Sequence, residues 1–392
     1  MEITMLENTK GTIIKVVGVG GAGGNAVQHM INKGVSGVEF IVANTDAQAL
    51  SQSKADNVIQ IGESGLGAGM KPAVGRQLAE ETRSRIEDAL RGAHMVFIAA
   101  GMGGGTGTGA APIVAQVAKE MGALTVAVVS KPFSYEGQKC MAIADEGLEE
   151  LSKHVDSLIV ILNEKLEDIY EDDSMMEWLQ HADDVLNNAV AGIAEIINVP
   201  GHINVDFNDV KTIMGEQGKA MMGTAVASGI DRARIAAEQA VASPLLDGVD
   251  LSGASGVLVN VTASHSLKGK EIKEVMAVVR AFAAQDASIA QGIAYDDSMG
   301  DEIRVTVVAT GLGRSRRPQL VNTPMPMLKT GTYGADAIAA PSPTESFAKQ
   351  NFEAVRTPAV WRRESASETV RAMERNGTET YDIPAFLRRQ AD

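Results

Sequence analysis

Along the first 313 positions, short runs of β-branched and aliphatic residues alternate with segments of helical periodicity. Ile13–Val19, Val38–Ala43, Met95–Ala100, Leu124–Ser130 and Ser157–Leu162 have strand length and are bounded by Gly, Asn or Pro. Both faces of each run are apolar, which predicts parallel strands covered by helices on either side. Ala26–Ile31 predicts an amphipathic helix after the first strand, and Ala110–Met121 a crossover helix between two others. Met175, Leu179, Ala182, Leu186, Ala189, Ile193 and Ile196 form a long apolar stripe at helical spacing that ends at Pro200-Gly201. Beyond it, strand-like Gly256–Thr262 and Arg304–Thr310 enclose helical Ile272–Phe282, which predicts a smaller α/β unit.

The pattern stops near Arg314. Seven of the 12 prolines lie beyond that point, and only Gly331, Gly334 and Gly377 of the 40 glycines do. This stretch is expected to be a flexible linker. The last residues change again: TYDIPAFLRRQAD sets Tyr381, Ile383, Phe386 and Leu387 beside Arg388 and Arg389, the pattern of a partner-binding peptide on a tether. The expected organisation is residues 1–174, a central helix 175–200, a second unit 201–313, a linker 314–378 and a peptide 379–392.

Charge narrows the function. The chain of 392 residues carries 35 Lys and Arg against 50 Asp and Glu, a net charge of −15. Affinity for nucleic-acid backbones comes from clustered cations, so a nucleic-acid-coating role is not expected. A single cysteine, Cys140, excludes a disulfide scaffold and a multi-cysteine metal site. The six histidines are scattered, and no run reaches the roughly 18 apolar residues that a membrane-spanning helix needs.

Two glycine clusters carry the chemistry. Gly18, Gly20 and Gly23, in GVGGAGGN, fit G-x-G-x-x-G after a strand. Glycines let backbone amides approach a phosphate, and the following helix presents free N–H groups at its positive end. Alone this cluster leaves three readings open: a structural turn, a phosphate site, or a dinucleotide site with Asp46 as the ribose-binding acid. The second cluster, Gly103-GGTGT-Gly109, follows the Met95–Ala100 run and opens a helix, so it predicts a second phosphate cradle with threonine hydroxyls. A dinucleotide fold has no use for it, and no G-x-x-x-x-G-K-[ST] segment occurs. A polyphosphate held without that lysine needs backbone amides and a cation, expected to be Mg²⁺.

GGGTGTG resembles the tubulin signature. Together with VGVGGAGGNAV, ANTDAQAL, GLGAGMKP, NVDFNDVKTIM and DIPAFLRRQAD, the chain resembles the FtsZ family of bacterial cell-division tubulin homologues over 13–313 and again at 380–392. The resemblance implies a tubulin-like α/β fold: a Rossmann-type parallel-sheet GTPase domain, a long central helix, a smaller α/β C-terminal domain and a disordered tail. It implies GTP or GDP held with Mg²⁺ on Gly20, Gly21, Ala22, Gly23, Gly24 and Asn25, and on Gly104, Gly105, Thr106, Gly107, Thr108 and Gly109. Glu136 matches the ribose-binding acid, and Asn163 and Asp183 match the guanine-binding residues. A carboxylate suits guanine, which offers N1–H and an amine, whereas adenine would leave it unpaired.

Alone, Asn204, Asp206 and Asp209 read as an Asx-rich turn capping a helix. The resemblance implies instead that they complete hydrolysis on the neighbouring subunit's nucleotide, in head-to-tail filaments that form the division ring at mid-cell. It also implies that the terminal peptide docks on membrane tethers such as FtsA and ZipA. Three positions depart from the family pattern. Cys140 stands where a basic residue is usual, Lys71 where Asn is usual, and Leu179 where a base-stacking Phe is usual, with Trp178 beside it. Lys71 or Lys139 is expected to take over part of the missing cation's work; Trp178 is expected either on the base or in the core. Three alternative functions are a dehydrogenase built on the first glycine motif, a tubulin-like filament of plasmid segregation, and, given Cys140, a structural polymer with an inactive nucleotide site.

Overall fold

The computed structural model describes residues 11–198, 205–215, 219–243, 254–284 and 287–312. Asn204, the linker and the terminal peptide lie outside them. Strands β1 (Ile14–Val19), β2 (Glu39–Asn44), β3 (Asn57–Gln60), β4 (Met95–Gly101), β5 (Leu124–Lys131) and β6 (Ser157–Leu162) pair in parallel in the order β3-β2-β1-β4-β5-β6. Helices α1 (Gly20–Asn32), α2 (Ala47–Ser51), α3 (Pro72–Glu81), α4 (Arg83–Leu90), α5 (Thr106–Glu120) and α6 (Gln138–Ser152) run between them. After β6 come α7 (Asn163–Ile169) and the 24-residue α8 (Met175–Asn198).

Alternation along each strand explains the two-sided apolar runs. Val16, Phe40, Phe97 and Val126 face one core with Met30 of α1 and Leu186 and Ile193 of α8. Val17, Ile41, Ile98 and Val129 face the other with Ile113, Val114 and Val117 of α5. β1, β2, β4, β5 and β6 thus bury both rows of side chains, as parallel strands flanked by helices must.

The remaining elements are α9 (Phe207–Met214), β7 (Lys219–Ser228), α10 (Arg232–Val241), β8 (Gly256–Ala263), α11 (Gly269–Phe282), β9 (Ser288–Tyr295) and β10 (Glu302–Leu312). They continue the same sheet as β7-β10-β8-β9, joined to β6 through only two residue pairs, Leu158 with Lys219 and Ile159 with Ala220. A third core lies between α10, α11 and strands β8 and β10. Arg232, buried, ties this part together: its guanidinium donates to Glu271, Ser266 Oγ and the Asp301 carbonyl. The first core runs on into this region through Val210 and Met214 of α9 and Val308 of β10.

Two helices start earlier than their apolar patterning suggests. The first begins at Gly20 rather than Ala26, and the crossover helix at Thr106 rather than Ala110. Glycine is a poor helix former in isolation. Here close packing against the sheet ends decides, because a Cβ on Gly23 would stand 2.2 Å from the Ala99 carbonyl and one on Gly107 2.4 Å from that of Gly101.

Candidate functional site

The strand order reverses between β1 and β4: β2 and β3 lie to one side, β5 and β6 to the other. A crevice opens outside the carboxyl ends of parallel strands at such a point, and ligands bind there. Both glycine clusters flank it, one following β1 and the other β4.

The clusters touch. Gly20 adopts φ +76°, and a Cβ on it would stand 2.9 Å from the Gly107 amide nitrogen. Helices α1 and α5 both begin here without a side-chain cap. Their first amides therefore have no partner within the helix, and the positive ends of two dipoles converge on one crevice. Thr108 Oγ1 is occupied by the Gly103 amide at 2.9 Å, and Thr106 Oγ1 meets Thr45 Oγ1 at 2.6 Å. Thr45, buried at the end of β2, is a site residue that sequence reasoning missed: it lies in the ANTDAQAL segment, but nothing in the spacing pairs it with Thr106.

The glycines divide into two kinds. Gly23, Gly107 and Gly109 are fixed by the fold, a Cβ on Gly109 falling 2.1 Å from the Pro72 carbonyl. Gly21 and Gly104 have open space where a Cβ would go and no left-handed backbone. Packing gives no reason for glycine at these two; a ligand lying against the main chain does. Ala22 and Asn25 are exposed on the first turns of α1, and a Cβ on Gly24 would make only ordinary contact with Val42.

The segment after β5 closes one side. Pro132 and the Cys140 carbonyl abut Gly103, at 2.7 and 2.9 Å from where its Cβ would be. Cys140 is buried in the first turn of α6. The exposed Glu136 turns back on its own loop, where Oε1 accepts from the Phe133 amide at 2.9 Å. Trp178 is half-buried against the first core, its Nε1 donating to the Tyr170 carbonyl at 2.6 Å and its ring stacked near Phe133. It is a packing tryptophan, while Leu179 is exposed.

Asn163 and Asp183 are less satisfied. Asn163, at the end of β6, is 5% exposed and its Oδ1 has no partner. Asp183 lies on α8, which packs on α1; its neighbour Asp184 bonds His29 at 2.7 Å and Lys33 at 3.3 Å. Burial pushes the Asp183 carboxyl up to about 6, with the Asp184 charge adding and His29 opposing. A buried acceptor and a poorly solvated carboxylate, both without protein partners, suit a ligand that brings donors. Asp46, the acid a dinucleotide site would need, instead caps α2 by accepting from the Gln48 amide at 2.8 Å.

Asp206 and Asp209 are elsewhere. Both are exposed at the start of α9, where Asp206 is the N-cap. Phe207 stacks edge-on with His94, 6.3 Å between centroids, and His94 immediately precedes β4 at its amino end. The end of α8 is at that edge too, Asn198 Nδ2 donating to the Gly37 carbonyl ahead of β2 at 2.5 Å. The seven residues of β4 put about 20 Å between its two ends. The acid-bearing helix and the glycine crevice thus occupy opposite edges of one sheet.

The chain matches known proteins over most of its length. Residues 13–171 match the model of the Tubulin/FtsZ family GTPase domain, and residues 218–313 that of the FtsZ family C-terminal domain. The chain belongs to the FtsZ family. The cell division protein FtsZ of Pseudomonas aeruginosa is 52% identical over 387 residues, covering 97% of each chain. That of Wigglesworthia glossinidia brevipalpis is 47% identical over 391 residues, 99% of each. A solved empty FtsZ dimer from M. jannaschii superposes with a TM-score of 0.75 at 45% identity, over 78% of this chain and 90% of that one. CetZ1 of Haloferax volcanii, 19% identical with a TM-score of 0.67, shares the fold. The protein is accordingly an FtsZ-type cell-division GTPase with the tubulin-like α/β fold, and its crevice is that of a GTP-binding domain. Among the described residues, no helix is long and apolar enough to cross a membrane.

Proposed function

We propose that this FtsZ-family protein polymerises head to tail into dynamic filaments of the division ring at mid-cell, and that each hydrolysis site is completed between two subunits. The carrying observation is the separation of Asp206 and Asp209 from Gly21 and Gly104 across the width of the sheet. A carboxylate so far from the phosphates of its own protomer acts only on a neighbour's. A contact joining opposite ends of identical molecules propagates as a filament unless it closes into a ring.

In this reading, amides of Gly20–Asn25 and Gly104–Gly109 and the Thr106 hydroxyl hold the phosphates. Glu136 exchanges its bond to the Phe133 amide for the ribose hydroxyls. Asn163 and Asp183 take the guanine edge, which satisfies the two acceptors left bare. Asp206, Asp209 and Asn204 of the adjoining subunit orient and polarise the attacking water. Among the described residues no three His, Cys, Asp or Glu side chains converge, so Mg²⁺ would ride on the nucleotide's own phosphate oxygens, neutralising their charge. The terminal peptide would link filaments to membrane tethers such as FtsA and ZipA.

Phosphate release measured against protein concentration, alongside light scattering, tests this reading. Release per subunit is expected to be near zero below the concentration at which scattering rises, and constant per assembled subunit above it. Turnover independent of concentration would end the shared-site reading.

The Asp183 carboxyl adds a pH signature. Guanine needs its ionised form, and the free group titrates near 6. Affinity for GTP is therefore expected to fall about tenfold per unit below pH 6 and to level off above it. Titration of the nucleotide's own phosphate is common to wild type and Asp183→Asn, so the difference between their profiles isolates this group. Identical profiles would exclude the role.

A further inference from the structure

Helix α7 bears on the crevice in a way the proposed function leaves unused. It opens at Asn163, whose buried Oδ1 has no partner, and Glu167 stands one turn further on. Residues four apart share a helix face, so one short element carries both side chains. The half-buried Glu167 reaches the segment after β5, where Oε1 accepts from the Ser134 amide at 2.9 Å and Oε2 from the Ser134 hydroxyl. The preceding amide, that of Phe133, donates to Glu136 Oε1 at 2.9 Å. Two successive amides are thus held by two carboxylates, one from the turn itself and one from α7. Both carboxylates lie beside Tyr135: burial pushes its phenol up, and the Glu136 and Glu167 charges add to the shift.

This segment is a wall of the crevice, since Pro132 and the Cys140 carbonyl abut Gly103 of the signature on either side of it. Between them Ser134–Glu136 forms a single 3₁₀ turn, and all three of its residues are exposed. No buried side chain fixes that turn, so its position depends on the stack of Tyr135 on Phe133, 5.4 Å between centroids, and on hydrogen bonds. In the proposed function Glu136 leaves the Phe133 amide for the ribose; the Glu167 tie then remains. We propose that Glu167 is a positioning residue for the nucleotide: by fixing Ser134 it sets the turn from which Glu136 reaches the ribose hydroxyls. A carboxylate that takes both donors of one serine fixes its place and its orientation together, and ionised acceptors make the stronger bonds. This inference rests on the reading of Glu136 as the ribose-binding acid.

The test is equilibrium binding to the full chain, kept below its assembly threshold at fixed Mg²⁺, of GTP and of 2′,3′-dideoxy-GTP, which lacks the ribose hydroxyls. Wild type is expected to prefer GTP. Glu167→Ala is expected to weaken GTP about fivefold and the dideoxy analogue less than twofold, so that the preference shrinks. Glu167→Gln keeps an acceptor for the Ser134 amide and is expected to recover most of the GTP affinity. Ser134→Ala is expected to add little to Glu167→Ala, because both remove the same contact. Equal losses for the two nucleotides, or no loss, would overturn the proposal. So would a Gln variant as weak as the Ala variant, or fully additive losses from Glu167→Ala and Ser134→Ala. Wild type that binds both nucleotides alike would instead remove the ribose reading of Glu136, and this inference with it.

Discussion

Asp209→Ala is expected to bind GTP with unchanged affinity while hydrolysing it about 10²–10³-fold more slowly, the usual cost of losing a group that assists proton transfer or orients water. Asp209 is exposed in the first turn of α9, so its removal disturbs no core. The distinctive result comes from mixing. An Asp209→Ala protomer has an intact crevice and a defective acid end; a Gly104→Val protomer has the reverse. Each alone is expected to be nearly inactive. In a random one-to-one copolymer, about one joint in four unites a good crevice with good acids, so roughly a quarter of wild-type activity should return. Co-sedimenting mixtures that stay inactive would show that each protomer hydrolyses its own nucleotide.

The second large effect separates the two kinds of glycine in one signature. A methyl at Gly109 would fall 2.1 Å from the Pro72 carbonyl and 2.7 Å from the Arg76 amide, both backbone atoms of α3 that cannot swing aside. Gly109→Ala is therefore expected to cost about 3 kcal/mol or more of stability. For a body of this size, that lowers the melting temperature by roughly 5 °C at least. A methyl at Gly104 meets no protein atom within 4 Å, so Gly104→Ala should melt with wild type. It is expected to lose GTP affinity by about tenfold or more, because the methyl takes the place of a phosphate oxygen near the main chain. Thermal melts with and without GTP check both. If Gly104→Ala keeps its affinity, the crevice does not hold the phosphates there.

These effects follow from the position of the crevice. Parallel strands present their carboxyl ends on one edge, so the loops after β1 and β4 meet wherever the chain reverses direction across the sheet. The acids come at the far end of α8, about 36 Å long for its 24 residues. One rigid helix therefore separates the groups proposed to hold the nucleotide from those proposed to act on the next one, and the proposed coupling of assembly to hydrolysis needs no moving part within the protomer.

Five of the six strands of the parallel sheet were legible in the chain because each buries both faces, and an uninterrupted apolar run survives in the sequence as such. Ser157–Leu162 is a strand with the boundaries its pattern predicts. Both glycine clusters were legible as junctions between strand and helix, and α8 as a stripe of helical period. Short β3, where only Ile59 is buried, and β7, with its Met-Met-Gly-Thr run, give no such signal. The starts of α1 and α5 were hidden because glycine propensity argues against a helix, whereas contact with the strand ends requires glycine.

Chemistry divides in the same way. Residue types and their order along the chain determined that two amide-rich loops follow strands, that no P-loop lysine is present and that an acid-rich turn follows the long helix. Only the tertiary structure decided that Gly20 meets Gly107, that Thr45 meets Thr106, that Trp178 belongs to the core, that Glu167 holds the Ser134 amide and that the acids face away. Strand and helix patterns are local, set by burial within a few residues, so a sequence displays them directly. Which distant segments touch depends on strand order and helix length summed over the whole fold, and no stretch of sequence carries that sum.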